Sequence, residues 1–159
     1  MTPVPHFHPI PTAVAEALRA GGADAYGLPA ERAVSDGDGI PCRHCLRPVP
    51  AGQAYLIAAL RPFAALHPYA ETGPVFLCAA PCPAAAPSPA IPAILASPAC
   101  ILRGYDAVDR IVYGTGGVVP NGEIPGRAAR LLADPRVAFA DVRSAANNCF
   151  QVRLRRAPG

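Results

Sequence analysis

Twenty-one prolines in 159 residues constrain this chain more than any other feature. Proline fixes φ, carries no amide hydrogen and breaks a helix interior at a cost of about 3 kcal/mol. A chain so interrupted folds into many short elements joined by long connections, which excludes a helical bundle. The core-forming residues are adequate and not rich. Of the 52% counted as hydrophobic, 33 residues are Ala, and about 31% remain when Ala is set aside. Thr72 to Leu102 holds 31 residues without a charge, long enough to span a bilayer, but seven prolines interrupt it and a spanning helix could not satisfy its backbone around them. The first residues, MTPVPHFHPIP, have no unbroken apolar run and no Arg before Arg19, unlike a signal peptide. The chain is expected to be cytoplasmic, with no membrane partner.

Periodicity then places the elements. Phe7 to Ile10 reads as a short strand, and Thr12 as the N-cap of a helix running to Ala20, ended by Gly21-Gly22. Glu31 to Val34, Ala54 to Leu60 and Pro74 to Cys78 read as strands. Pro81 to Pro98 turns to Pro, Ala and Ser and reads as an extended surface connection. Cys100 to Tyr105 and Arg110 to Tyr113 flank Asp106-Ala107-Val108-Asp109 as a hairpin. A helix from Asn121-Gly122 to Leu132 follows, facing Ala128, Leu131 and Leu132 to the core. Arg136 to Arg143 and Cys149 to Arg155 form a second hairpin, in whose last strand Phe150, Val152 and Leu154 alternate with Gln151, Arg153 and Arg155. The expectation is an α+β fold: a mainly antiparallel sheet with about two helices on one face and a long Pro-rich loop. It is read as a single domain over 1–159, with 1–29 as an N-terminal strand and helix segment.

Cys42-Arg43-His44-Cys45 and Cys78-Ala79-Ala80-Pro81-Cys82 are two closely spaced pairs, C-x2-C and C-x3-C, with 32 residues between them. Each pair on a tight turn aims two sulfurs at one point, the geometry a tetrahedral zinc requires. The expected cofactor is therefore a structural zinc on Cys42, Cys45, Cys78 and Cys82. Competing readings are small buried hydrophobes, or a Cys42/Cys45 redox pair, which lacks a surrounding βαβ pattern. His44, inside the first pair, is placed to donate to a sulfur or to replace a ligand.

Other candidates have plainer accounts. There is no Lys; all 14 basic residues are Arg, which removes P-loop, Schiff-base and Lys-nucleophile chemistry. His6 and His8 would share one strand face but have no identifiable third ligand. His67 sits in a loop with Tyr69 and Glu71. Gly114-Thr115-Gly116-Gly117 lacks the spacing and following helix of a phosphate cradle and reads as a turn or bulge. Cys149, beside Ser144, Asn147 and Asn148, is a candidate nucleophile if His67 or His44 joins it. Residues 127–159 carry seven Arg against two Asp. Arg143, Arg153 and Arg155 would share a polar strand face able to bind an anion, while nothing signals a nucleic-acid partner.

With these pieces assembled, the chain resembles the bacterial family called domain of unknown function 1203. The resemblance rests on Pro41 to Arg47, Pro68 to Phe76, Arg103-Gly104-Tyr105-Asp106, Asp134 to Ala138, Arg143-Ser144-Ala145, and Asn148-Cys149-Phe150 before Arg153. It carries no activity over. It implies that a His often stands at the position of Cys78, keeping a ligand, and that some members lack a match to Cys45. It therefore also directs attention to Cys42, Arg43, Tyr105, Asp106, Cys149 and Arg153 as a shared site. The expected function is a small binding or accessory module stabilised by zinc. The alternatives are a thiol-dependent enzyme using Cys149 or Cys42, and an anion or nucleic-acid binder using the C-terminal arginines.

Overall fold

A computed structural model describes all 159 residues. The fold is α+β, with eight mostly antiparallel strands in two sheets and two α-helices. The expected sheet is thus divided in two. The chain gathers into two compact units, one formed by residues 1–8 with 87–159 and the other by residues 9–86. No helix is long and apolar enough to cross a membrane.

The unit of residues 9–86 opens with α1 (Thr12–Arg19) and continues with β2 (Glu31–Val34), β3 (Ala54–Leu60) and β4 (Gly73–Cys78), paired in the order β2-β3-β4. The apolar run of β3 alternates in burial, hiding Leu56, Ala58 and Leu60. In α1, Ala15 and Leu18 are the buried residues, one helical turn apart. Thr12 is not the N-cap: Pro11 holds that position and no side chain caps the helix. The hydroxyl of Thr12 is instead bonded to His44 Nε2 at 2.9 Å. Asp24 fastens its loop to the sheet by accepting from the amides of Ala59, Tyr26 and Leu28, and the Ala59 bond leads in holding its carboxyl below the usual range.

The other unit contains β1 (Pro5–His8), β5 (Ala99–Tyr105), β6 (Gly117–Pro120), α2 (Ile124–Ala133), β7 (Phe139–Ser144) and β8 (Phe150–Arg156), with strand order β1-β8-β7-β5-β6. A single 3-10 turn, Asn121–Glu123, leads into α2, whose buried residues are Ile124, Ala128 and Leu132. Leu131, expected in the core, is half-buried. The helix covers the face bearing Val152 and Leu154, while a register shift after Val142 sets Phe150 opposite Arg143 and near Arg153. Arg156, on the face of Val152 and Leu154, donates to the carbonyls of Leu132 and Val137 at the end of the helix and just beyond it. The opposite face carries the polar positions of β8 and their neighbours.

Two expectations are corrected here. Arg110 to Tyr113 is not the hairpin partner of β5; β6 is, with Cys100 opposite Val119. Asp106 accepts from the amides of Val108 and Arg110, and Asp109 takes φ +63, so the chain turns tightly and leaves only one bridge, Tyr105 to Ile111. The Gly-Thr-Gly-Gly stretch is a turn, as its sequence suggests. Thr115 Oγ1 accepts from the Gly104 amide at 2.9 Å and donates to the Val112 carbonyl at 2.6 Å. A Cβ at Gly104 would lie 3.1 Å from that oxygen, so glycine is what lets the turn close on β5. No helix or strand forms between Cys78 and Ala99. Within this Pro-rich stretch, Ser88 pairs with Phe7 at the open edge of β1, and Ile94 and Leu95 are buried.

Candidate metal centre

Residues 40–49 form a small knuckle. The Cys42 amide donates to the Arg47 carbonyl at 3.0 Å, the Leu46 amide to the Cys42 carbonyl at 2.9 Å, and the Val49 amide to the Ile40 carbonyl at 2.8 Å. Leu46 has φ +58, the left-handed backbone that turns the chain just after Cys45. The knuckle is tied to β4, because Cys42 bridges Phe76 and the Arg43 amide donates to the Phe76 carbonyl at 3.1 Å. Cys78 ends that strand, so the first pair lies beside the start of the second. Cys82 returns on the following turn, secured where the Ala85 amide meets the His44 carbonyl at 3.0 Å.

The sulfurs of Cys42, Cys45, Cys78 and Cys82 all lie within 4.8 Å of one another, and none of the four is in a disulfide. Tetrahedral Zn–S bonds of about 2.3 Å place sulfurs about 3.8 Å apart. Cys42 Sγ and Cys82 Sγ stand at 3.9 Å. The four cysteines are arranged as a possible metal site. As thiols they share charge unevenly. The Cys45 hydrogen bond pulls Cys42 down to about 4 and pushes Cys45 itself up, while burial and the Cys42 charge push Cys78 up to about 12. Four sulfurs this close ionise together only around a cation.

Two cationic or donor side chains meet at Cys82. Arg19 Nη2 donates to its sulfur at 3.0 Å while Nε donates to the Cys78 carbonyl at 3.0 Å, so one guanidinium fork spans the C-x3-C turn. His44 Nδ1 lies 3.2 Å from the same sulfur and Nε2 lies 2.9 Å from Thr12 Oγ1. Burial, then Arg19, lowers the His44 pKa. The ring bridges the Cys82 sulfur and the Thr12 hydroxyl through its two nitrogens. Both ends of α1 thus reach the cluster. Arg19 and Thr12 escape sequence reasoning because nothing in their local pattern signals it; they meet the cluster across 59 to 63 and 32 residues of chain.

A family model described as "Protein of unknown function (DUF1203)" matches residues 39–156. The chain belongs to this family. Comparison with curated proteins and with solved structures finds no match. The DUF1203 match covers all four cysteines together with Arg43, Tyr105, Asp106, Cys149 and Arg153. Arg43 is buried, donates to the Pro41 carbonyl at 2.8 Å and lies over the Phe76 ring. Tyr105 is fully buried, stacks on Phe139 at 5.2 Å and accepts from Arg103 Nε. Cys149 lies in the turn before β8, with its sulfur 3.7 Å from the Asn147 carbonyl. By register, Tyr105 aligns through Phe139 with the Arg155 end of β8. Cys149 precedes the other end, about 20 Å along the strand at 3.4 Å per residue. Cys149 is therefore kept apart from Tyr105 and Asp106. Arg143 and Arg153 do share the face predicted for them. Arg143 Nε donates to the carbonyl and side-chain oxygens of Asn148, both at 3.1 Å, while Arg153 clasps Asp141. In the loop, His67 Nδ1 accepts from the Tyr69 amide at 3.1 Å.

Replacing Arg19 with Ala is expected to weaken metal binding by about tenfold to a hundredfold, the usual cost of losing a hydrogen bond to a ligand. Arg19→Lys should not restore it, since an ammonium cannot span carbonyl and sulfur as the fork does. Competition against a chromophoric chelator measures both.

Proposed function

We propose that this protein is a small cytoplasmic binding or accessory module whose 9–86 unit is stabilised by one structural zinc on Cys42, Cys45, Cys78 and Cys82. The observation that carries the reading is the convergence of four sulfurs from two short-spaced pairs, with Arg19 donating to one of them and His44 Nδ1 3.2 Å from the same sulfur. Zinc suits an all-thiolate tetrahedral set. Four protein ligands leave no open position for substrate, so the metal contributes to folding and not to catalysis. A cytoplasmic setting accords with the reduced thiols that such a site needs.

The test is elemental analysis of the full, untagged chain purified without chelator. The expected result is close to one zinc per chain, lost in Cys78→Ala. Protein that holds no metal, or holds it equally well after that substitution, would overturn the reading and return the thiols to consideration as reactive groups. In that event, fast alkylation of one thiol at neutral pH would favour the enzyme alternative.

A further inference from the structure

A second site is written into the unit of residues 1–8 and 87–159, on the sheet face that α2 does not cover. Pairing places His6 opposite Arg155 and His8 opposite Arg153 on β1 and β8. Directly opposed side chains in an antiparallel pair share a face with Cβ atoms about 5 Å apart, and like charges so placed repel. Four basic side chains therefore occupy one small patch at the edge of the sheet. The same row continues inward, with Asp141 opposite Arg153 and Arg103 opposite Asp141.

The patch is organised. Arg153 is fixed by Asp141, Nε to Oδ1 at 2.7 Å and Nη2 to Oδ2 at 2.9 Å, and its guanidinium lies 3.9 Å from the centre of the Phe139 ring. Arg155 lies over that ring at 5.2 Å. The acids acting on Arg155 are Asp141, whose two oxygens both accept from Arg153, and Asp109. On β1, Nε2 of His8 is buried and has no hydrogen-bond partner. A buried polar nitrogen in that state is costly and calls for a partner from outside the chain. The two arginines on the paired strand disfavour a metal cation at the His6/His8 pair, against the reading that two imidazoles on a strand first suggest. They suit an anion with several acceptor oxygens.

We propose that His6, His8, Arg153 and Arg155 form a binding site for the phosphate group of a small soluble ligand, with Asp141 positioning Arg153. A tetrahedral oxyanion offers acceptors to two imidazoles and two guanidiniums at once, whereas a carboxylate offers only two oxygens. The site uses none of the four cysteines and stands or falls apart from the zinc reading.

The test is a titration of the full chain with inorganic phosphate, at ionic strength held constant with chloride, followed by the imidazole NMR signals of all four histidines. Saturable shifts of His6 and His8, with His44 and His67 unmoved, are expected. Acetate should bind more weakly. Arg155→Gln, at an exposed position, should weaken phosphate by about tenfold, the loss of one charge-assisted hydrogen bond, while leaving the His44 and His67 signals in place as evidence of an intact fold. No saturable shift, shifts of all four histidines together, or equal affinity in Arg155→Gln would each overturn the proposal. Acetate binding as tightly as phosphate would overturn its choice of ligand.

Discussion

If zinc occupies the four-cysteine site as proposed, stripping it from the intact chain is expected to cost most of the stability of residues 9–86. Regular secondary structure around the cysteines is sparse. α1 has 8 residues, short of the roughly 12 to 15 that an isolated helix needs to be even marginal. β2 is exposed at three of its four positions. From Ser35 to Gln53 there is no helix or strand, only turns tied by bonds such as Ser35 Oγ to the Val49 carbonyl at 2.8 Å. Structural zinc binds zinc-finger peptides with about 10 to 16 kcal/mol at neutral pH, against total stabilities of about 5 to 15 kcal/mol for ordinary domains. The metal term is therefore comparable with the whole. Thermal melts with and without a zinc chelator should differ widely, and hydrogen exchange should show early loss of protection at the amides of Cys42, Arg43, Leu46 and Ala85. The pH dependence follows from the same chemistry. Sulfurs bound to zinc would be thiolates, so falling pH should protonate them and release the metal, and the stabilisation present at neutral pH should be lost toward acid. Unchanged melts and protection after complete metal removal would show that packing alone holds the knuckle.

Much of this site was legible in the sequence. The short spacings within each pair, and the strand ending at Cys78, announced two sulfur-bearing turns. What spacing could not show was that α1 would deliver Arg19 and Thr12 to them, because a helix read alone reveals its apolar stripe and not what its polar residues meet. The strands divide in the same way. Ala54 to Leu60 was bounded correctly because an apolar run marked it, and Glu31 to Val34 because turn residues follow it. β6 was missed because Gly117-Val118-Val119-Pro120, between a glycine turn and a proline, looks like connection. Its place at the edge of the sheet comes from pairing with β5. Alternation along β8 correctly sorted Arg153 and Arg155 from Val152 and Leu154, but it misplaced Phe150, because a register shift after Val142 sets Phe150 opposite Arg143 and brings its ring within 6.0 Å of the Arg153 guanidinium. Alternation could not reveal the row from His8 through Arg153 and Asp141 to Arg103, since neighbours across strands are set by register.

That row supplies the other large effect. Asp141→Ala is expected to destabilise the protein by about 3 to 5 kcal/mol, the cost of breaking a buried ion pair from one side. Asp141 is fully buried, and burial pushes its carboxyl up against the pull of Arg153, Arg143 and Arg103. Both of its oxygens are bonded by Arg153. Without the carboxylate, Arg153 keeps its cation over Phe139, with Arg103 on the next strand but one and no shared counter-charge at the centre of the row. Asp141→Asn keeps the shape and one acceptor oxygen, so its loss should be smaller. The decisive comparison is Asp141→Leu combined with Arg153→Met. Removing both charges removes the desolvation cost along with the attraction, and such replacements are often neutral or stabilising. The double variant should therefore be more stable than either single one in denaturant melts, even if Asp141→Ala alone is too unstable to purify. If the double variant is as damaged as Asp141→Ala, the loss comes from packing around β7 and not from an orphaned charge. If Asp141→Ala costs less than about 1 kcal/mol, the pair contributes no more than a surface ion pair does.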